Sequence, residues 1–123
     1  MELSKTEEQL MEIIWKCKTA FLRDIMERYP DPKPASTTVA TLLKRMQDKG
    51  TVAYHLFGNS RQYYPLVSKA DYFNKHLNEI VKNFFGNSML QYASFFTTAG
   101  NLSAKELDEL KKIVEQEIKK REK

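Results

Sequence analysis

The sequence predicts a mainly α-helical chain, with three helices and a β-hairpin in residues 1–67 and a second, wholly helical half in residues 68–123. Three observations predict this. Apolar residues recur at three- and four-residue spacing through most of the chain. The period changes to two only after Gly50, around Val52, Tyr54 and Leu56. Aromatic residues concentrate late, with seven of the 14 between Tyr72 and Phe96. A length of 123 residues bounds the answer to one domain-sized unit, or a compact domain with an appendage, and a 41% apolar fraction is enough for a core. A multi-domain enzyme is excluded on length.

Ser4-Lys5-Thr6-Glu7 has the S/T-x-x-E spacing of a capping box and opens the first helix. Leu10, Met11, Ile13, Ile14 and Cys17 form its inner stripe, separated by Glu7, Glu8, Glu12 and Lys16, and it ends near Lys18. Phe21, Leu22, Ile25, Met26 and Tyr29 make a short second helix, which Pro30, Pro32 and Pro34 forbid from continuing. From Ala35 to Lys49, Val39, Leu42, Leu43 and Met46 fall on one stripe of a third helix. Gly50 ends that helix as a left-handed residue. Val52, Tyr54 and Leu56 then share one face of a strand, the chain turns at Gly58-Asn59-Ser60, and Arg61 to Pro65 returns. Helix, helix, helix, hairpin is the order of a winged helix-turn-helix.

The helical pattern resumes after Val67 with Tyr72, Phe73, Leu77, Ile80, Val81 and Phe84, and Gly86 breaks it. Ser88 to Thr98 carries Met89, Leu90, Tyr92, Phe95 and Phe96, an apolar surface too broad for one solvated helix. A second capping box, Ser103 to Glu106, opens a last helix with Leu107, Leu110, Ile113, Val114 and Ile118 on one side. About 60 residues are marginal as a domain of their own. A second copy of the same chain is the simplest cover, since two-fold dimers are the commonest oligomers. The candidate dimerisation residues are Phe73, Leu77, Ile80, Phe84, Tyr92, Phe96, Leu110 and Val114.

The net charge of +4 says little by itself, but its distribution is informative. Residues 33–66 hold five Lys/Arg against the single acid Asp48, so an anionic partner would dock there. Opposite the core stripe of the third helix lie Thr37, Ala40, Thr41, Lys44 and Asp48, with Thr38 and Arg45 on the flank. Short hydroxyls and cations with little bulk suit a helix entering the major groove of double-stranded DNA. Arg61 sits beside the hairpin tip, either as a cation for the DNA backbone or minor groove, or as an exposed charge that guards a sheet edge. Tyr63 and Tyr64 cannot both face outward in a strand, so one of them belongs to the core.

Enzyme signatures are absent. His55 and His76 have no metal-ligand spacing, the four glycines make no phosphate loop, and no cofactor is implied. Cys17 cannot form an intrachain disulfide, which fits a reducing, cytoplasmic setting and a thiol packed on the inner side of the first helix. No apolar stretch reaches the length of a membrane span, and the first residues lack the order of a secretory signal, so membrane insertion is not expected. Two other readings stay open from the residues alone: a winged helix that binds another protein without specific DNA binding, and a small redox or metal-sensing regulator built on Cys17.

The chain resembles the penicillinase-repressor and methicillin-resistance-regulator family of bacterial transcriptional repressors. The resemblance rests on Leu3-Ser4 with Glu7 and on Met11 through Ile14-Trp15; on Thr38, Thr41-Leu42, Arg45 and Lys49-Gly50; on Gln62-Tyr63-Tyr64 before Leu66-Val67; and on Leu102-Ser103 with Glu106 to Leu110. It implies a homodimer whose N-terminal winged helices each occupy half of a palindromic operator, while the C-terminal helices intertwine. DNA contacts then map onto Thr37, Thr38, Thr41, Lys44, Arg45 and Arg61. Ala40 is a departure, because close relatives carry an arginine there.

The resemblance also implies control of β-lactam-resistance or sensor-protease genes. Known members are inactivated when a membrane-bound sensor metalloprotease, triggered by a β-lactam, leads to a cut between Asn and Phe. The corresponding bond here joins Phe95 and Phe96, with Phe95 in place of the asparagine. A copper-sensing branch carries clustered C-terminal cysteines, and no cysteine follows Cys17.

Overall fold

In the computed structural model, which describes residues 3–122, the first helix, α1 (Lys5–Cys17), starts on the expected capping box. The Glu7 amide donates to Ser4 Oγ at 3.3 Å and the Ser4 amide donates to Glu7 Oε1 at 2.8 Å. Leu10, Met11, Ile13 and Ile14 turn inward. Lys18 closes the helix at φ +69°, with its amide donating to the Ile14 carbonyl.

The chain then forms a short strand before the second helix. β1 (Ala20–Phe21) precedes α2 (Leu22–Arg28), so Phe21, assigned to the helix by spacing, is extended instead. Its amide is satisfied by Asp24 Oδ2 at 3.0 Å, which lets the helix begin one residue later. α3 (Ser36–Asp48) follows the proline-rich loop, and Gly50 adopts φ +80° just beyond it. β2 (Val52–Phe57) and β3 (Ser60–Pro65) are the expected hairpin, turning through Gly58 at φ +62°.

All three strands are antiparallel, in the order β1-β3-β2. The register pairs Val52 with Pro65, Tyr54 with Tyr63 and Leu56 with Arg61, and sets Ala20 beside Tyr63. One face of the sheet therefore carries Ala20, Val52, Tyr54 and Tyr63 onto the core. Leu56 shares that face but is 63% exposed, because the hairpin outruns the helices beneath it. The core is completed by Ile25 from α2 and by Val39, Leu43 and Met46 from α3.

α4 (Lys69–Phe84), α5 (Met89–Ala99) and α6 (Ala104–Arg121) complete the chain. The mainly α winged helix-turn-helix followed by helices is therefore as expected. By compactness the chain divides into Met1–Lys75 and His76–Lys123. The first turns of α4 are held by α1: Trp15 Nε1 donates to the Val67 carbonyl at 2.9 Å, the Tyr72 hydroxyl donates to Glu8 Oε2 at 2.8 Å, and Lys69 meets Glu12 at 2.8 Å. In the second unit, Val81 alone is buried among the described residues. Phe85 packs against Tyr92 and Phe95 at ring separations of 5.3 and 5.4 Å, yet Phe84 and Leu90 are 78% and 83% exposed.

Glu7 has a second role that its capping box does not reveal. It is buried, and its Oε1 also accepts from Lys49 Nζ at 2.7 Å, which ties the start of α1 to the end of α3. Burial pushes the carboxyl pKa up, but the Lys49 and Ser4 hydrogen bonds together outweigh it and hold the group below the ordinary carboxylate value. The folded-state pKa is thus lower than the unfolded one, so the stability that Glu7 contributes is present above the ordinary value and is lost as pH falls through the lowered one. In denaturant titrations across that acid range, the wild-type chain should lose stability more steeply than Glu7→Gln.

Candidate nucleic-acid interface

α3 has two contrasting sides. Val39, Leu42, Leu43 and Met46 are buried, whereas Thr37, Thr38, Ala40, Thr41, Lys44, Arg45 and Asp48 are exposed, as the spacing predicts. The buried stripe fixes the rotation of the helix and so determines which residues face outward. Details differ among the exposed residues. Thr41 Oγ1 donates to the Thr37 carbonyl at 3.0 Å, so its proton is already engaged by the helix. Lys44 lies 3.7 Å from Asp48, one turn on, with both side chains largely in solvent, a pair that an external phosphate could displace. The Arg45 side chain has no ion-pair or hydrogen-bond partner among the described residues.

The hairpin adds the second part of the surface. Arg61 lies on the core side of β3, next to Leu56, with its guanidinium 4.5 Å from the centre of the Tyr54 ring. That contact steadies the arginine while leaving it exposed at the wing. Phe57, on the opposite face, meets Phe21 edge-on at 6.0 Å. Sequence reasoning missed Arg23. It lines a cleft of about 450 Å³ together with Phe21, Phe57 and Arg61, because β1 ends early and brings the start of α2 beside the wing. A two-residue strand leaves too little periodicity to reveal that arrangement.

The tyrosines divide as the strand requires. Tyr63 is buried, and Tyr64 lies on the other face, stacked on His55 at 4.7 Å. Cys17 is half-buried against the core, as an inner-side thiol should be. Among the described residues no group of three His, Cys, Asp or Glu could hold a metal ion, and no helix is long and apolar enough to cross a membrane.

The candidate dimerisation residues do not form one closed core within the chain. Phe73, Ile80, Phe84, Phe96 and Val114 are exposed, while Leu77, Tyr92 and Leu110 are half-buried. Phe73 also packs on Trp15 at 6.0 Å. Phe95 and Phe96 lie in the body of α5, so the bond between them is helical.

A family model described as penicillinase repressor matches residues 3–116. The chain belongs to the penicillinase repressor family. Its relatives include the penicillinase repressor of Bacillus licheniformis, 25% identical over 116 residues that cover 94% of this chain and 91% of that one. The methicillin resistance regulatory protein MecI of Staphylococcus aureus (strain N315) is 31% identical over 118 residues, covering 92% and 93%. Among solved structures, the solution structure of the DNA-binding domain of the repressor BlaI matches with a TM-score of 0.52 and 25% identity, over 58% of this chain and 88% of that one. The penicillinase repressor family is one of transcriptional repressors, not enzymes, and this member has their winged-helix fold.

Proposed function

We propose that this penicillinase repressor family member acts in the cytoplasm as a dimeric, sequence-specific repressor of transcription on a palindromic operator in double-stranded DNA. The observation that carries the reading is the exposed Thr/Lys/Arg face of α3, backed by a fully buried opposite stripe and flanked by Arg61 on the wing. The structural likeness to a DNA-binding domain supports the same reading. In it, residues 1–67 contact DNA. α3 enters the major groove, Thr37, Thr38, Thr41, Lys44 and Arg45 face base edges and phosphates, and Arg61 reaches the backbone or minor groove beside it.

Residues 68–123 pair two copies through Phe73, Leu77, Ile80, Phe84, Tyr92, Phe96, Leu110 and Val114. A two-fold dimer places two equivalent α3 helices on two equivalent half-sites, which is why the operator is palindromic. The regulated genes are those for β-lactam resistance or its sensor protease. Inactivation follows from a cut between Phe95 and Phe96, induced through a membrane-bound sensor metalloprotease, because each winged helix then loses the link to its neighbour. The bond must first leave its helix, so local opening of α5 precedes the cut.

Arg45→Ala tests the DNA contact at the α3 cation whose side chain has no ion pair among the described residues. Operator affinity should fall by about 1–3 kcal/mol if Arg45 reads a base, or the salt slope should drop by about one if it meets a phosphate. The fold should be unaffected, since the side chain is exposed. Unchanged affinity and unchanged slope would remove Arg45 from the interface and leave the proposed placement of α3 without its main cation.

A further inference from the structure

We infer that the centre of α3 recognises thymine through its C5-methyl group, by contact with a strip of short apolar groups on Thr37, Ala40 and Thr41. This rests on the DNA-binding reading above and deepens it. The three residues stand at i, i+3 and i+4, so they are immediate neighbours on one exposed strip of the helix. Ala40 offers only a methyl group. Thr41 has committed its hydroxyl proton to the Thr37 carbonyl at 3.0 Å, which leaves its methyl group and an oxygen lone pair for whatever meets this face.

The consequence is that Ala40 and Thr41, the middle of the strip, offer no free side-chain donor, while the Thr37 hydroxyl at its N-terminal end can still donate. A guanine or adenine edge brought against that middle would bury its N7 acceptor without a partner, which is unfavourable. Thymine alone presents a methyl group in the major groove, and alanine and threonine methyls complement it. Short side chains also let the α3 backbone approach the base pairs closely. Charge is confined to the C-terminal side of this strip, at Lys44 with Asp48 and at Arg45 on the flank. The surface therefore divides the work: methyl contacts at the centre select A·T pairs, and the cations beside them hold phosphates or a guanine.

The test uses the full chain and DNA obtained by selection from a random duplex library. Each thymine of the recovered site is then replaced by deoxyuridine, which deletes only the methyl group. Affinity should fall about four-fold for each contacted methyl, equivalent to about 0.8 kcal/mol. Two variants separate the methyl from the hydroxyl. Thr41→Val keeps the methyl and should bind the thymine site within about two-fold of wild type. Thr41→Ser keeps the hydroxyl and should bind more weakly and lose the thymine-over-uracil preference at one position. Specific binding that is indifferent to every methyl deletion, or that survives in Thr41→Ser and fails in Thr41→Val, would overturn the inference while leaving DNA binding intact. Recovery of no preferred site at all would instead overturn the DNA-binding reading, and this inference with it.

Discussion

Phe84→Asp should separate the proposed dimer into monomers and lower affinity for the proposed operator by about 10²- to 10⁴-fold, the range set by losing a linked second binding event. The residue suits the experiment because it is 78% exposed in the single chain, so the substitution leaves no cavity in either unit. A phenylalanine seated between two copies removes roughly 150–250 Å² of surface from water, and an aspartate there would be a desolvated, unpaired charge. Each winged helix would keep α3 and Arg61 unchanged. Sedimentation should therefore report a monomer, circular dichroism should show unaltered helix content, and titration should show only the affinity of one half-site. A Phe84→Asp chain that remains dimeric and binds at full strength would place the interface elsewhere.

The other large effect belongs to the hidden side of the same helix. Leu43 is 1% exposed and belongs to the core that α1, α2, α3 and the sheet build together, so Leu43→Ala should destabilise the chain by about 2–5 kcal/mol. That is a large share of the roughly 5–15 kcal/mol available to a natural domain. Denaturant unfolding should show the loss directly. At low temperature, where the fold survives, DNA affinity should be close to wild type, because Leu43 points away from the groove. Arg45→Ala, two residues along, should do the reverse and weaken binding while leaving the unfolding curve in place. If both variants lost stability and affinity together, the two faces of α3 would not be separable as proposed.

The parts of the fold that were legible in the sequence are those governed by local rules. The Ser4 and Ser103 capping boxes, the α3 stripe, the left-handed Gly50 and the shift to a two-residue period after it all act within a few neighbours. Features that needed a distant partner were not legible. β1 is two residues long, and Phe21 suits either a helix or a strand until Gln62 is placed opposite it. Glu7 looks like a capping residue and nothing more until Lys49, 42 positions away, is brought to it. Leu56 alternates as a core residue should, but the strand extends past the helices that would have covered it. At the candidate interface, spacing alone selected the exposed positions of α3, because burying one side of a helix dictates the other. It did not show that the Thr41 hydroxyl turns back onto its own helix, and that detail changes what the centre of α3 offers to a base.

A footprint on the DNA flanking the gene's own promoter, measured at two salt concentrations, shows whether a two-fold repressor sits there. Two symmetric protected half-sites are expected, spaced by about one helical turn or a multiple of it. Affinity should fall steeply between about 50 and 200 mM salt, as expected when several phosphates are neutralised. Protection of a single asymmetric site, or only weak binding that ignores both sequence and salt, would contradict a dimeric repressor that reads a palindrome through α3.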